Sequence, residues 1–233
     1  MSPDPNLPHL ERVVDRLGEL AEDLMLVGGC AAGLLVTDPA AAQIRATEDV
    51  DLVVEAVSYP DYHAFCQRLL GRGLHQGGHP DDPICRWRGE GVILDVMPLD
   101  EAVLGFSNRW YRPALRAALR ADLGGGRSLQ HIDGPHFLAS KLEAFHNRGE
   151  GDHLMSHDLE DLVVVVEGRP EIVTEVDAAG GEVRAFLAEG VAGLLADRFF
   201  MEALAGYFAG DGDAGDRARA ALARLKVLAG RGA

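Results

Sequence analysis

Three aspartates in two apolar strands are the side chains of this chain best suited to chemistry. Asp49 and Asp51 stand two positions apart at the start of VDLVVEAV, a β-branched run that predicts a strand. Alternation along a strand places both carboxylates on one face, while Val50 and Leu52 point into the core. Asp95 lies inside VILDVMP, where a charge is costly unless it is paired or liganded. If the two strands are neighbours, the three carboxylates form one cluster.

Such a cluster needs a cation, because carboxylates held side by side repel each other. Magnesium takes oxygen ligands and commonly keeps substrate phosphates among them. Two ions about 4 Å apart can clamp the attacking and leaving oxygens of a phosphoryl transfer. The three aspartates therefore predict a site for Mg2+, with two ions when a nucleoside triphosphate (NTP) is bound.

A pair of glycines supplies the other half of a phosphate site. Gly28 and Gly29 lie between the strand-like stretch LMLV and the helix-like stretch CAAGLLV. Small residues at such a turn let the backbone approach phosphate oxygens closely. The helix that follows offers free N–H groups and the positive end of its dipole. We therefore expect the triphosphate to lie between these amides and the metal ions.

The elements around these residues change character along the chain. Apolar spacing predicts an amphipathic helix over Leu10 to Leu24 and another helix from Pro60 to Leu70, whereas ICRWRG and GVILDVMPL predict a hairpin. From Pro135 onward the pattern is helical. The sequence thus predicts an α+β fold: a small mixed sheet flanked by helices in residues 1–125, then a helical domain in residues 126–233.

The order of these motifs resembles that of a known superfamily. The stretches LVGGCAAGLLV, RATEDVDLVV and VILDVMP are similar to the polymerase-β-like nucleotidyltransferases, and look most like their AbiEii-type branch, which includes MenT-like toxins. Cys30 stands where that family commonly has a serine or threonine. The resemblance implies the nucleotidyltransferase fold and the transfer of a nucleoside monophosphate from an NTP to an acceptor hydroxyl.

The resemblance continues into the helical half. FLASKLEAFHNR, followed by SHDLEDL, is similar to the later motif of that branch, a lysine and an arginine followed by an Asp-x-x-Asp pair. Carried over by position, Lys141 contacts the triphosphate, Asp158 is the late catalytic acid and Asp161 is its companion. Arg148 and Asp161 then join the substrate-binding residues, and the resemblance implies that the helical domain completes the nucleotide site.

Each of these features also has a purely structural interpretation. The paired aspartates can be solvated residues at a strand start, and the two glycines a simple tight turn. Lys141 and Asp161 can be solvated residues on helix surfaces. Asp158 can stabilise a helix start and Arg148 a helix end through the helix dipole.

Charge bears on the acceptor. A formal net charge of −15 argues against indiscriminate binding of nucleic acid. Four arginines at spacings of three, four and four predict a basic stripe on one helix: Arg109, Arg112, Arg116 and Arg120. Such a stripe can steer RNA to the site, although it can also be a solvated or ion-paired face. A tRNA-like RNA acceptor and a toxin-like role, with an antitoxin protein as a further partner, are favoured. A small-molecule (antibiotic) nucleotidyltransferase and a non-catalytic nucleotide-binding protein remain alternatives.

The remaining features concern the compartment. The amino terminus has no apolar stretch behind basic residues, and no apolar run approaches the ~20 residues of a membrane span. The three cysteines, Cys30, Cys66 and Cys85, are widely spaced and odd in number, which indicates a reducing compartment. The histidines near the middle of the chain lack metal-binding spacing. We therefore expect a cytoplasmic protein with no membrane contact and no structural zinc.

Overall fold

A mixed β-sheet carries the three aspartates. The protein is represented by a computed structural model that describes residues 4–148, 152–209 and 213–230. Within these residues the sheet has seven strands in the order β3-β4-β5-β2-β1-β7-β6. The strands are β1 (Leu24–Leu26), β2 (Val50–Val54), β3 (His75–Gln76), β4 (Arg86–Gly89), β5 (Val92–Pro98), β6 (Leu119–Gly124) and β7 (Arg127–His131).

The centre of the sheet brings the two aspartate strands side by side. β2 runs parallel to β5, with Asp51 opposite Asp95, and antiparallel to β1. β4 and β5 form the predicted hairpin, which turns at Glu90 and Gly91. Val53, Leu94 and other apolar residues of these strands are fully buried. The sheet core therefore holds the aspartate strands in fixed register.

Short helices accompany the strands: α1 (Leu7–Leu17), α2 (Gly28–Leu35), α3 (Tyr59–Gly71), α4 (Glu101–Leu104) and α5 (Tyr111–Arg116). The first helix is shorter than the predicted span, because Gly18 ends it with a φ of 56° and a 3-10 turn follows. Leu24 already belongs to β1. The helix predicted from Pro60 begins one residue earlier, where the Ser58 hydroxyl accepts from the Asp61 amide and caps it.

The later residues are helical, as predicted. Their helices are α6 (Gly134–Arg148), α7 (His157–Gly168), α8 (Ile172–Ala178), α9 (Gly181–Ala196), α10 (Arg198–Ala203) and α11 (Ala214–Ala229). Gly190 allows α9 to approach α6 closely, since a Cβ there would lie 2.2 Å from the Leu142 side chain. The predicted α+β class, a mixed sheet flanked by helices and followed by a helical half, is confirmed.

The chain divides into two compact units. The sheet unit comprises Pro5–Gly33 and Ala46–Asp133, and the helical unit comprises Leu34–Arg45 together with the residues from Gly134 onward. Through the described ranges, each helix is either too short or too polar to cross a membrane.

The prediction that four arginines form one stripe on a helix is wrong. Arg109 precedes α5, and Arg112 and Arg116 lie on it, but Arg120 lies on β6. The three glycines at 124–126 all have positive φ and form the turn of a β6–β7 hairpin, which replaces the predicted helix. Arg120 also donates to Glu22 at 2.8 Å, so its charge is already paired.

Candidate active site

Asp51 and Asp95 face each other across two parallel strands. Residues directly opposite in a β-ladder project from the same face of the sheet, so the two carboxylates share a surface. Asp49 precedes β2 by one residue and lies two positions before Asp51. Asp95 is buried, with 7% of its surface exposed, whereas the other two are partly exposed. The structure thus brings the three predicted acids to one place.

A guanidinium that the sequence analysis did not single out joins these acids. Arg86 lies on β4 opposite Asp95, and its Nε and Nη2 atoms donate to the two Asp95 oxygens at 2.8 Å each. Nη2 also donates to Asp49. The hydrogen bonds to Asp95 raise the pKa of Arg86 above its ordinary high value, so the side chain stays charged. One cation therefore pairs with two of the three carboxylates and offsets one of their negative charges.

Gly28 adjoins the third carboxylate. Its φ of 63° lies in the left-handed region, and a Cβ at this position would fall 1.9 Å from Asp51 Oδ2. The amide of the preceding residue, Val27, donates to the Asp51 carbonyl at 2.9 Å. Gly29 is buried in the first turn of α2. The glycine turn and the acid cluster are therefore in direct contact, and Gly28 is required by both conformation and space.

Replacing Gly28 with alanine is expected to destabilise the fold and to displace Asp51. The left-handed backbone alone costs a non-glycine residue about 1–2 kcal/mol, and the new Cβ occupies the position of the carboxylate. Urea unfolding and Mg2+-dependent nucleotide binding are the measurements.

Gly91→Ala is the matched control for that substitution. Gly91 has a φ of 71° but open space around its missing Cβ. It should show the same backbone penalty with unchanged nucleotide binding. Equal nucleotide binding by both variants would contradict a role for close contact at Gly28.

The segment that leads to Asp49 is anchored by a small polar cluster. The Thr47 hydroxyl donates to the Asp49 carbonyl at 3.1 Å and lies 3.0 Å from Cys30 Sγ. The Thr47 amide donates to the side-chain oxygen of the buried Asn6 at 2.8 Å. A hydroxyl is thus present beside Cys30, and it comes from a different segment of the chain.

Cys85 lies next to Arg86, but it is not a candidate nucleophile. Burial, together with the nearby Asp95 charge, raises the pKa of the Cys85 thiol to about 12. The thiol is therefore protonated at neutral pH, and the thiolate that would be needed for attack is scarce.

A second charged cluster lies within the helical unit. Lys141 on α6 donates to Asp161 at 2.6 Å and to Asp158 at 3.3 Å, both on α7. Arg45 lies 3.4 Å from the same Asp161 carboxylate. Lys141 and Asp161 are 7% and 3% exposed, so the interpretation of either as a solvated surface residue is wrong. Arg148 ends α6, but its side chain lies outside the described residues.

The donor set of the sheet cluster suits magnesium. Three carboxylates on one face are the hard oxygen ligands that this ion prefers. In the described part of the chain no three His, Cys, Asp or Glu side chains are already arranged as a metal-binding group. At the aspartates, the positive charge in contact with the oxygens is Arg86. The three carboxylates therefore suit a divalent cation, and the Arg86 guanidinium contacts two of them, those of Asp49 and Asp95.

A separate cleft of about 620 Å³ opens at the other end of β2. It is lined by residues that include Glu22, Asp23, Val54 and Glu55. Because Asp51 lies at the beginning of β2 and Val54 at its end, this cleft does not include the three aspartates.

Comparison with known proteins gives a likeness of fold. No protein-family model matches the chain, and no curated protein matches it. JHP933 from Helicobacter pylori matches with a TM-score of 0.50 at 12% identity, over 100% of this chain and 94% of that one. An antigenic nucleotidyltransferase-like protein from Paracoccidioides brasiliensis matches with a TM-score of 0.48 at 19% identity, over 94% of each chain. The antibiotic-resistance factor ANT(2'')-Ia matches with a TM-score of 0.46 at 15% identity, over 82% of this chain and 94% of that one. The structural neighbours of this chain thus include nucleotidyltransferase-like proteins.

Proposed function

We propose that this protein is a magnesium-dependent nucleotidyltransferase that moves a nucleoside monophosphate from an NTP to an acceptor hydroxyl. One observation carries the proposal: Asp51 and Asp95 face each other across β2 and β5, Arg86 joins Asp95 to Asp49, and Asp51 adjoins the Gly28 turn. Phosphoryl transfer needs carboxylates that can hold metal ions beside backbone N–H groups that can bind phosphate, and the aspartates next to the start of α2 offer this arrangement.

The proposal gives each residue of the site a role. Asp49, Asp51 and Asp95 would hold Mg2+, which when bound would neutralise phosphate charge and lower the pKa of the acceptor hydroxyl. Backbone N–H groups at the start of α2 would bind phosphate oxygens. The acceptor oxygen attacks the α-phosphorus, the bond to pyrophosphate breaks, and the proton passes to a carboxylate oxygen of Asp95, the most buried of the three acids.

The helical unit enters the proposal through the resemblance to the AbiEii-type branch. By that resemblance Lys141 and Arg148 bind phosphate, Asp158 is the late catalytic acid and Asp161 its companion. The contacts of Lys141 with both aspartates support a functional grouping of these residues, because a buried lysine with two carboxylate partners is held in one position.

The acceptor class rests on the same resemblance. We propose RNA as the acceptor of a toxin-like cytoplasmic enzyme with an antitoxin partner, and a small-molecule antibiotic as the alternative acceptor. The arginines support RNA less than their spacing predicted, since Arg120 is paired with Glu22 and Arg112 lies 4.0 Å from Asp100. Incubation with α-labelled NTP, Mg2+ and either total RNA or an aminoglycoside distinguishes the two acceptors.

Thermal unfolding with each NTP, with and without Mg2+, tests the site itself. We expect stabilisation by at least one NTP only when Mg2+ is present, of about 2.7 kcal/mol at a ligand concentration 100 times Kd. Asp49→Ala should abolish it, whereas Asp81→Ala, a change in an exposed acid of the nearby loop, should not. Magnesium-dependent stabilisation that survives in Asp49→Ala would refute the proposed site.

A further inference from the structure

We propose that Arg86 is an internal competitor of the metal ion, holding the acid cluster closed to free Mg2+ until a nucleotide supplies a new partner for its guanidinium. The inference rests on the proposed function and concerns the order in which metal and nucleotide enter the same site.

The contacts of Arg86 make it a cation substitute. It donates to both oxygens of Asp95 and to one oxygen of Asp49, so three of the six carboxylate oxygens at the site carry a guanidinium hydrogen bond. A metal ligand must offer those oxygens to the ion. Each of these oxygens keeps a further lone pair, but an ion that uses it lies beside the guanidinium, and the two positive charges repel each other.

The ion pair between Arg86 and Asp95 is strong enough to oppose the binding of free Mg2+. Bonds between two charged groups are about twice as strong as neutral ones, and the two-pronged contact with Asp95 adds geometric fit. Both side chains are largely buried, with 21% of the Arg86 side chain and 10% of the Asp95 side chain exposed. Water therefore screens this pair less than a surface pair. Free Mg2+ must overcome both the bonds and the positive charge.

A nucleoside triphosphate changes that balance. It carries phosphate oxygens for which a guanidinium fork is well matched, so Arg86 can exchange carboxylate for phosphate without losing its ion pairing. A third carboxylate, that of Asp82, lies 4.0 Å from Arg86, beyond hydrogen-bond distance. Two bonds from Arg88, at 2.7 and 2.9 Å, hold that carboxylate. Metal and nucleotide are then expected to bind cooperatively, each with weak affinity alone.

The neighbouring arginine provides the control. Arg88 lies two residues further along β4, on the same face, and pairs with Asp82 instead of the three aspartates. Arg86→Gln removes the competing charge, and Arg88→Gln removes an equal charge that does not touch the cluster.

Binding of Mn2+, measured by electron paramagnetic resonance in the absence of nucleotide, tests the inference. Arg86→Gln should bind Mn2+ about tenfold more tightly than wild type, from the loss of a unit charge a few ångströms away. Arg88→Gln should bind as wild type does. A non-hydrolysable NTP analogue should tighten Mn2+ binding to the wild type much more than to Arg86→Gln. Arg86→Lys, which retains charge but not the fork, should lie between wild type and Arg86→Gln, and tests the idea if the glutamine variant does not fold.

The outcomes separate this inference from the proposed function. If the wild type binds Mn2+ with nucleotide, and the Arg86 variants bind free Mn2+ no better than it does, Arg86 is a structural partner and the inference fails alone. If the wild type binds no Mn2+ even with nucleotide, the proposed function fails. Tighter binding by Arg86→Gln in that case would show a cation site that Arg86 keeps closed without a nucleotide role.

Discussion

Asp51→Asn is expected to reduce nucleotidyl transfer about a thousand-fold. The substitution keeps the shape of the side chain and removes the charge that lies opposite Asp95 and against Gly28. A bound metal ion stabilises transition-state charge by several kcal/mol, and each ~1.4 kcal/mol is tenfold in rate. Loss of one of the three proposed carboxylate ligands should forfeit most of that contribution. Transfer of label from an α-labelled NTP to the active acceptor is the measurement.

Glu55→Gln is the matched control for this substitution. Glu55 directly follows β2 at the end away from the aspartates and is exposed. The same change from carboxylate to amide there should leave the rate within about twofold, as for most surface substitutions. Thermal unfolding of both variants establishes that they are folded. A folded Asp51→Asn protein that retains transfer within tenfold of wild type would refute the proposed role of the cluster.

The aspartate cluster was predictable because strand periodicity carries enough information. Alternation places Asp49 and Asp51 on one face, and a lone acid within VILDVMP needs a partner. The sequence did not show which strands are neighbours, and the parallel pairing of β2 with β5 supplies that. The contact of Arg86 with Asp95 was not predicted, although the sequence contains the information for it. A two-residue turn at Glu90 and Gly91 sets the hairpin register, and counting back from it places Arg86 opposite Asp95.

Competing local patterns explain the error at the arginines. The arginine spacings of three and four are compatible with a helix. The glycines at 124–126 instead favour a tight hairpin turn, so residues 119–124 form a strand that pairs with β7. Thr47 was missed for another reason. Its contact with Cys30 joins segments separated by Leu34–Arg45, which belong to the helical unit, and no local pattern reports such a contact.

The burial of Lys141 was likewise invisible in the sequence, because helical spacing does not reveal which polar position faces a neighbouring helix. In the structure α6 packs on α7, and Lys141 meets two carboxylates there. A residue interpreted from its motif as a phosphate ligand thus also has a structural role within its own unit. That role leads to the second large expected effect.

Lys141→Met should lower the free energy of unfolding by about 3–5 kcal/mol, the usual loss when one partner of a buried ion pair is removed. Methionine fills similar volume, but Asp158 and Asp161 then remain buried with less positive charge nearby, although Arg45 still lies 3.4 Å from the Asp161 carboxylate. Urea unfolding followed by circular dichroism measures the loss.

Two further variants identify the origin of this loss. If it comes from buried carboxylates that have lost the lysine charge, removing one carboxylate charge should reverse part of it. Lys141→Met combined with Asp161→Asn should be more stable than Lys141→Met alone, since one of the two buried charges is gone. Lys226→Met, on an exposed position of α11, should change stability by less than about 0.5 kcal/mol. If Lys141→Met loses less than about 1 kcal/mol, or if the double variant is less stable than the single one, the two carboxylates do not depend on this lysine, and the cluster is held by its other contacts instead.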